Sequence, residues 1–232
     1  MTAAGEPAAA LQRLDEITRL LRAECPWDRE QDERTIVPHT VEEAYELADA
    51  ANKGDDAKLL DELGDVLFQV HFLSLLLEER GAGDLAAVAE GCCAKLIRRH
   101  PHVFGDVEVE DAAAVLRNWD AIKREEEGRG GDVFADVPET LPSPLYARKL
   151  LRRAGSAGHE WPPEGALAQV REEVDRVAAT ADDGDRDARF DPMGDLMLAV
   201  VALARELRVD PELALRAAAD RFRSRVDAGE IA

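Results

Sequence analysis

The chain has 232 residues, enough for one or two domains with a buried core. It carries 29 Lys and Arg against 49 Asp and Glu, a net charge of −20, which argues against long nucleic acid as a partner because backbone binding needs a basic surface. The three cysteines, Cys25, Cys92 and Cys93, lack metal-ligand spacing, and an adjacent pair makes a poor disulfide, so a reducing cytoplasm is expected. Residues 1–11 lack the basic and apolar regions of a signal peptide. No apolar run approaches the roughly 20 residues of a membrane span, so no membrane association is expected.

Ala, Leu, Glu and Arg dominate, aromatics are few and no segment alternates in the manner of a strand, so the expected fold class is all-α. A first helix is predicted from about Pro7 to Arg22, with Leu11, Leu14, Ile17, Leu20 and Leu21 as its buried side. Cys25-Pro26-Trp27-Asp28 breaks it, since proline disfavours helix at the preceding residue. Two helices follow, about Thr40–Asn52 and Asp56–Arg80, with Thr40 and Glu43 spaced as a capping box, Asp55 or Asp56 as the next N-cap, and Gly81 and Gly83 as the stop. A fourth helix is expected over Asp84–Arg99, ended by His100-Pro101, and a fifth over Asp111–Glu127. Glycines from Gly128 to Gly131 and prolines at 138, 142 and 144 mark a linker. The predicted organisation is a helical domain over 1–127, a linker over 128–144 and a second helical domain over 145–232.

The chemistry concentrates in Glu42-Glu43-x-x-Glu46 and Glu62-x-x-Asp65, which flank the turn at Lys53-Gly54-Asp55-Asp56. In an antiparallel hairpin, residues that face each other have numbers with a constant sum, and that sum is 108 both for Glu46 with Glu62 and for Glu43 with Asp65. At about 100° per residue the acids share one side of each helix. Val41, Ala44, Tyr45 and Ala48 on one helix, and Leu59, Leu63, Val66, Leu67 and Val70 on the other, take the opposite sides and are expected to bury. Beyond Val70 the polar stripe fades, as in a helix buried all round, here by a second subunit. Four carboxylates at one height repel each other, and a hard divalent cation held by oxygen ligands, commonly Mg²⁺ beside a phosphate substrate, relieves that repulsion. The plainer alternatives are a cap at Glu43 and solvated i, i+4 acids at Glu42 and Glu46.

The second half repeats the first at a shift of 130 residues. Glu172-Glu173 falls on Glu42-Glu43, and Met193-Gly194-Asp195 on Leu63-Gly64-Asp65, but Arg176 replaces Glu46 and Pro192 replaces Glu62. The expectation is a duplicated hairpin that has lost its metal site and serves packing or dimerisation.

In their order along the chain, these motifs resemble the MazG nucleoside triphosphate pyrophosphohydrolases. The resemblance is carried by Cys25-Pro26-Trp27-Asp28, the two acidic motifs, the run from Lys95 to Phe104 and Trp119-x-x-x-Lys123. It implies an all-α bundle that forms a homodimer and uses Mg²⁺, with Mn²⁺ as a substitute, to hydrolyse nucleoside triphosphates to the monophosphate and pyrophosphate. It also implies that Glu43, Glu46, Glu62 and Asp65 are metal ligands, and that Glu42 stands behind them or orients the attacking water. Lys95, Arg98, Arg99 and Lys123 are the cations available to the leaving pyrophosphate. Trp119, one turn before Lys123, suits stacking on a base, with a core tryptophan as the plain alternative. His100 and His102, split by Pro101, read as a structural turn rather than a metal site. The competing function is a non-catalytic helical dimer that binds a nucleotide or protein in a regulatory role. A di-iron carboxylate bundle is disfavoured, because no Glu is followed by His three residues on.

Overall fold

Gly54 sets the geometry of the first half. Its φ of 69° lies in the left-handed region, which ends one helix and lets the next start at once. The computed structural model describes residues 6–126, 133–135, 137–162, 164–180 and 186–231. Among them every regular element is a helix: α1 Pro7–Glu24, α2 Pro26–Glu30, α3 Glu33–Lys53, α4 Asp56–Glu79, α5 Leu85–Arg99, α6 Pro101–Phe104, α7 Ala112–Glu126, α8 Ser143–Ser156, α9 Ala166–Thr180, α10 Arg186–Glu206 and α11 Pro211–Asp227. The chain folds as two packed units, 1–98 and 99–232.

In the first unit α3 and α4 form a tight hairpin, and α1 packs on α2 and α4. Asp55 caps α4 by accepting from the Lys58 backbone N–H at 3.0 Å. The core of the hairpin is Ile36, Phe72 and Leu76, with Phe68 and Leu73 against it. Two arginine forks tie α1 to the end of α4: Arg19 donates to both oxygens of Glu78 at 3.0 and 2.6 Å, and Arg22 to both of Glu79 at 2.8 Å. Planar guanidinium–carboxylate pairs of this kind fix orientation as well as distance. Arg22 also donates to the Gln31 carbonyl at 3.0 Å, which seats the chain entering α3.

Three expectations change here. The hairpin's first helix begins at Glu33, not Thr40. Its capping box is Asp32 with Thr35, where Asp32 accepts from the Thr35 N–H at 2.9 Å and the Thr35 hydroxyl accepts from the Asp32 N–H at 2.9 Å. Thr40 lies mid-helix, donating towards the Ile36 carbonyl at 3.4 Å. The predicted apolar side of α1 is largely open within the chain, with Leu20 61 % exposed, whereas Thr18 on that helix is fully buried. Leu63, Leu67 and Val70 on α4 are likewise exposed, while Phe72, Leu75 and Leu76 are buried within the chain itself.

In the second unit α9 and α10 pack as a hairpin, with α8 against α10 and α11. Its core joins Leu151, Ala166, Val201 and Ala202, flanked by Ala147, Trp161, Leu198 and Leu203. Of the stretch read as a linker, residues 128–132 and 136 lie outside the described residues, Val137 is buried and α8 begins at Ser143. The end of the fifth predicted helix, Glu127, also lies outside them.

Candidate metal centre

The α3–α4 hairpin brings Glu43, Glu62 and Asp65 together, so that carboxylate oxygens of all three lie within 4.8 Å of one another. Glu62 is the deepest, with 0 % of its surface exposed, and its Oε2 has no hydrogen-bond partner among the described residues. Lys58, one turn earlier on α4, pairs its ammonium with Glu62 Oε1. It also bonds Asp61 at 3.3 Å. These two contacts, Glu62 first, hold the Lys58 ammonium well above its ordinary pKa. The Glu43 carboxyl is also pushed up, first by burial and then by the charges of Asp65, Glu46 and Glu62.

A buried carboxylate is costly unless something positive meets it, and Lys58 meets Glu62 at one oxygen only. Two more carboxylates at the same place raise that cost. The donor set is entirely hard oxygen, the set Mg²⁺ and Ca²⁺ take and softer metals do not prefer. The residues therefore fit a hard divalent cation.

The other residues expected at the site divide into those near this triplet and those elsewhere. Glu46 is exposed and lies outside the triplet, although its charge still acts on Glu43. Glu42 is exposed, with its carboxylate 3.7 Å from His39 Nδ1. Lys95 and Arg98 are exposed on α5 in the first unit, and α5 does not pack substantially on α3 or α4. Arg99, Trp119 and Lys123 belong to the second unit. There Arg99 bonds Glu126 at 2.6 Å and lies 5.6 Å from the centroid of the Trp119 ring. His100 meets that ring edge-on at 4.9 Å, and Lys123 is half-buried on α7. Trp27 is exposed and touches His39 edge-on at 5.9 Å.

Two features were not assigned a role from the sequence. Lys58 is one, and its i, i+4 spacing from Glu62 is the signal the sequence offers for it. Beside the acids an open groove is lined by Asp55, Lys58, Leu60, Asp61, Gly64 and Asp65; with no side chain at Gly64 and nothing within 4 Å of where its Cβ would stand, that wall leaves room for a ligand.

The profile of the MazG nucleotide pyrophosphohydrolase domain matches residues 31–104, a span that contains the whole triplet. The chain is 40 % identical over 206 residues to the nucleoside triphosphate pyrophosphohydrolase of Escherichia coli (strain K12), covering 87 % of this chain and 78 % of that protein. It is 36 % identical over 200 residues to the nucleoside triphosphate pyrophosphohydrolase/pyrophosphatase MazG of Thermotoga maritima, covering 85 % and 76 %. With the nucleoside triphosphate pyrophosphohydrolase of Mycobacterium tuberculosis it shares 34 % identity over 162 residues, 67 % of this chain and 49 % of that protein. An all-helical chain with these acids on one hairpin, and this likeness along most of its length, belongs to the MazG nucleotide pyrophosphohydrolase family.

Proposed function

We propose that the protein is a Mg²⁺-dependent nucleoside triphosphate pyrophosphohydrolase that cleaves ribo- or deoxynucleoside triphosphates to the monophosphate and pyrophosphate, a housecleaning activity on the nucleotide pool. The observation that carries this reading is the Glu43–Glu62–Asp65 triplet, with the buried Glu62, whose Oε2 lacks a hydrogen bond, at its floor. Glu43, Glu62 and Asp65 would hold the ion, and Glu46 completes the set from the exposed next turn of α3. Once bound, Mg²⁺ polarises a phosphoryl oxygen and lowers the pKa of a water. Glu42 accepts a hydrogen bond from the attacking water and aligns it on the α-phosphorus. The α–β anhydride bond breaks as that water adds, and Lys95 and Arg98, on α5 of the same unit, are the cations proposed to offset the charge that grows on the departing pyrophosphate.

The working protein is a cytoplasmic homodimer in this reading. Leu60 and Leu63 on α4 and Val41 on α3 are 74, 50 and 51 % exposed, beside a helix α5 that finds no substantial packing partner among the described residues. Apolar surface of this kind is buried by association. No described helix is long and apolar enough to cross a membrane.

The test is pyrophosphate release from a panel of ribo- and deoxynucleoside triphosphates with Mg²⁺, with the monophosphate identified directly. Glu62→Gln, which keeps shape and removes charge, is expected to lower the rate by about 100-fold or more, in the range of lost metal-site function. Absence of turnover across the panel by a folded, Mg²⁺-binding protein would move the reading to a nucleotide-binding regulatory dimer.

A further inference from the structure

The second hairpin keeps two of the four acids of the first and adds an arginine among them. Under the 130-residue shift Glu173 matches Glu43, Asp195 matches Asp65 and Arg176 matches Glu46. Glu173 is only 3 % exposed. Arg176 Nη1 lies 2.7 and 3.0 Å from its two oxygens and 3.4 Å from Asp195 Oδ2 on α10. One nitrogen of the guanidinium thus stands among three carboxylate oxygens contributed by α9 and α10. Gln169 Nε2 donates to Glu173 Oε1 at 2.7 Å, so both oxygens of this buried carboxylate are satisfied. In the first hairpin Glu43 and Asp65, the counterparts of Glu173 and Asp195, gather within 4.8 Å with Glu62, where the second hairpin has Pro192.

We propose that Arg176 does permanently for the second hairpin what a divalent cation would do for the first: its charge offsets part of that of Glu173 and Asp195, and it ties α9 to α10. An arginine suits this role because its charge is not lost at any physiological pH, and its several N–H donors can serve two carboxylates at once. Glu173 stabilises the hairpin only while that partner is present, since a buried carboxylate without one is strongly destabilising. The second hairpin is therefore ordered without metal and closed to it. The comparison with the first hairpin rests on the metal reading above; the role of Arg176 within its own hairpin does not.

The experiment is hydrogen exchange followed by mass spectrometry on the full chain, with EDTA or with Mn²⁺, in wild type, Arg176→Met, Arg176→Lys and Arg176→Glu. In wild type, Mn²⁺ is expected to slow exchange in α3 and α4 and leave α9 and α10 unchanged. Arg176→Met keeps the aliphatic stem but removes the charge, and should speed exchange in α9 and α10 by about tenfold or more, the scale of a lost hydrogen bond to a charged group. Arg176→Lys should retain most of the protection. Arg176→Glu, which adds a third carboxylate, should make exchange in α9 and α10 depend on Mn²⁺. Unchanged exchange in α9 and α10 of Arg176→Met would overturn the proposal, as would Mn²⁺ protection of those helices in wild type. If Arg176→Met does not fold, loss of protection in Arg176→Lys as well would overturn it, because the charge would then not be what matters. Lack of Mn²⁺ protection in α3 and α4 would instead refute the metal reading of the first hairpin.

Discussion

Glu43→Gln separates the charge cost of the metal centre from its function, because the same carboxylate that would bind the ion burdens the ion-free fold. The Glu43 carboxyl is raised by burial and by Asp65, Glu46 and Glu62, so the folded state disfavours its charge. A raised folded pKa means that the stability contribution is full below the ordinary carboxylate value and is lost as pH rises through the raised one. At neutral pH without metal, Glu43→Gln should therefore be more stable than wild type. One like-charge contact at about 4 Å is worth about 1 kcal/mol in a water-like medium, and Glu43 is only partly buried, so a gain of about 1 kcal/mol is expected. At about pH 4, near the ordinary Glu value, the difference should vanish. With Mg²⁺ at about 100 times its dissociation constant, wild type should gain about 2.7 kcal/mol, and the variant little of it, so the order of stability reverses. Urea unfolding followed by helical circular dichroism, in EDTA and in Mg²⁺, reads both effects. A variant less stable than wild type in EDTA at neutral pH, or one that keeps the full Mg²⁺ gain, would refute the reasoning.

Phe72 is fully buried between Ile36 and Leu76, so Phe72→Ala should cost about 3–5 kcal/mol, read as a lower urea midpoint for the first unit. Gly54→Ala meets nothing within 4 Å but must keep a φ of 69°, and should cost about 1–2 kcal/mol through the backbone alone, with no change in Mg²⁺ affinity by calorimetry. Leu63→Glu places a charge on an exposed apolar position of α4; it should leave helicity intact and shift sedimentation of the proposed dimer to that of a monomer, and an unchanged dimer would exclude that face from the interface.

What could be read from the sequence was local and periodic. The turn at Gly54 and the end of the first helix at Cys25 follow from the left-handed tolerance of glycine and from the restriction proline places on its neighbour. The register of the acids follows from the constant sum across a tight turn, and three of the four do meet. The start of α3 could not be read this way, because Pro38 stands inside the helix and proline normally ends one. Burial of Ile36 against Phe72 and Leu76 holds that first turn, and only packing from the distant α4 supplies it.

The sequence by itself determined that the long helices form, where the chain reverses and which carboxylates share a face, since each depends on neighbours within a few positions. Only the tertiary structure decided that Glu62 is the buried floor of the centre while Glu46 is exposed, and that Lys58 rests against that floor. It alone decided that the leucines of α1 and α4 stay open while Thr18 is buried. Helical periodicity gives the direction a side chain takes from its own axis. What lies in that direction is set by helices that approach from elsewhere in the chain or, as proposed for α4, from a second copy.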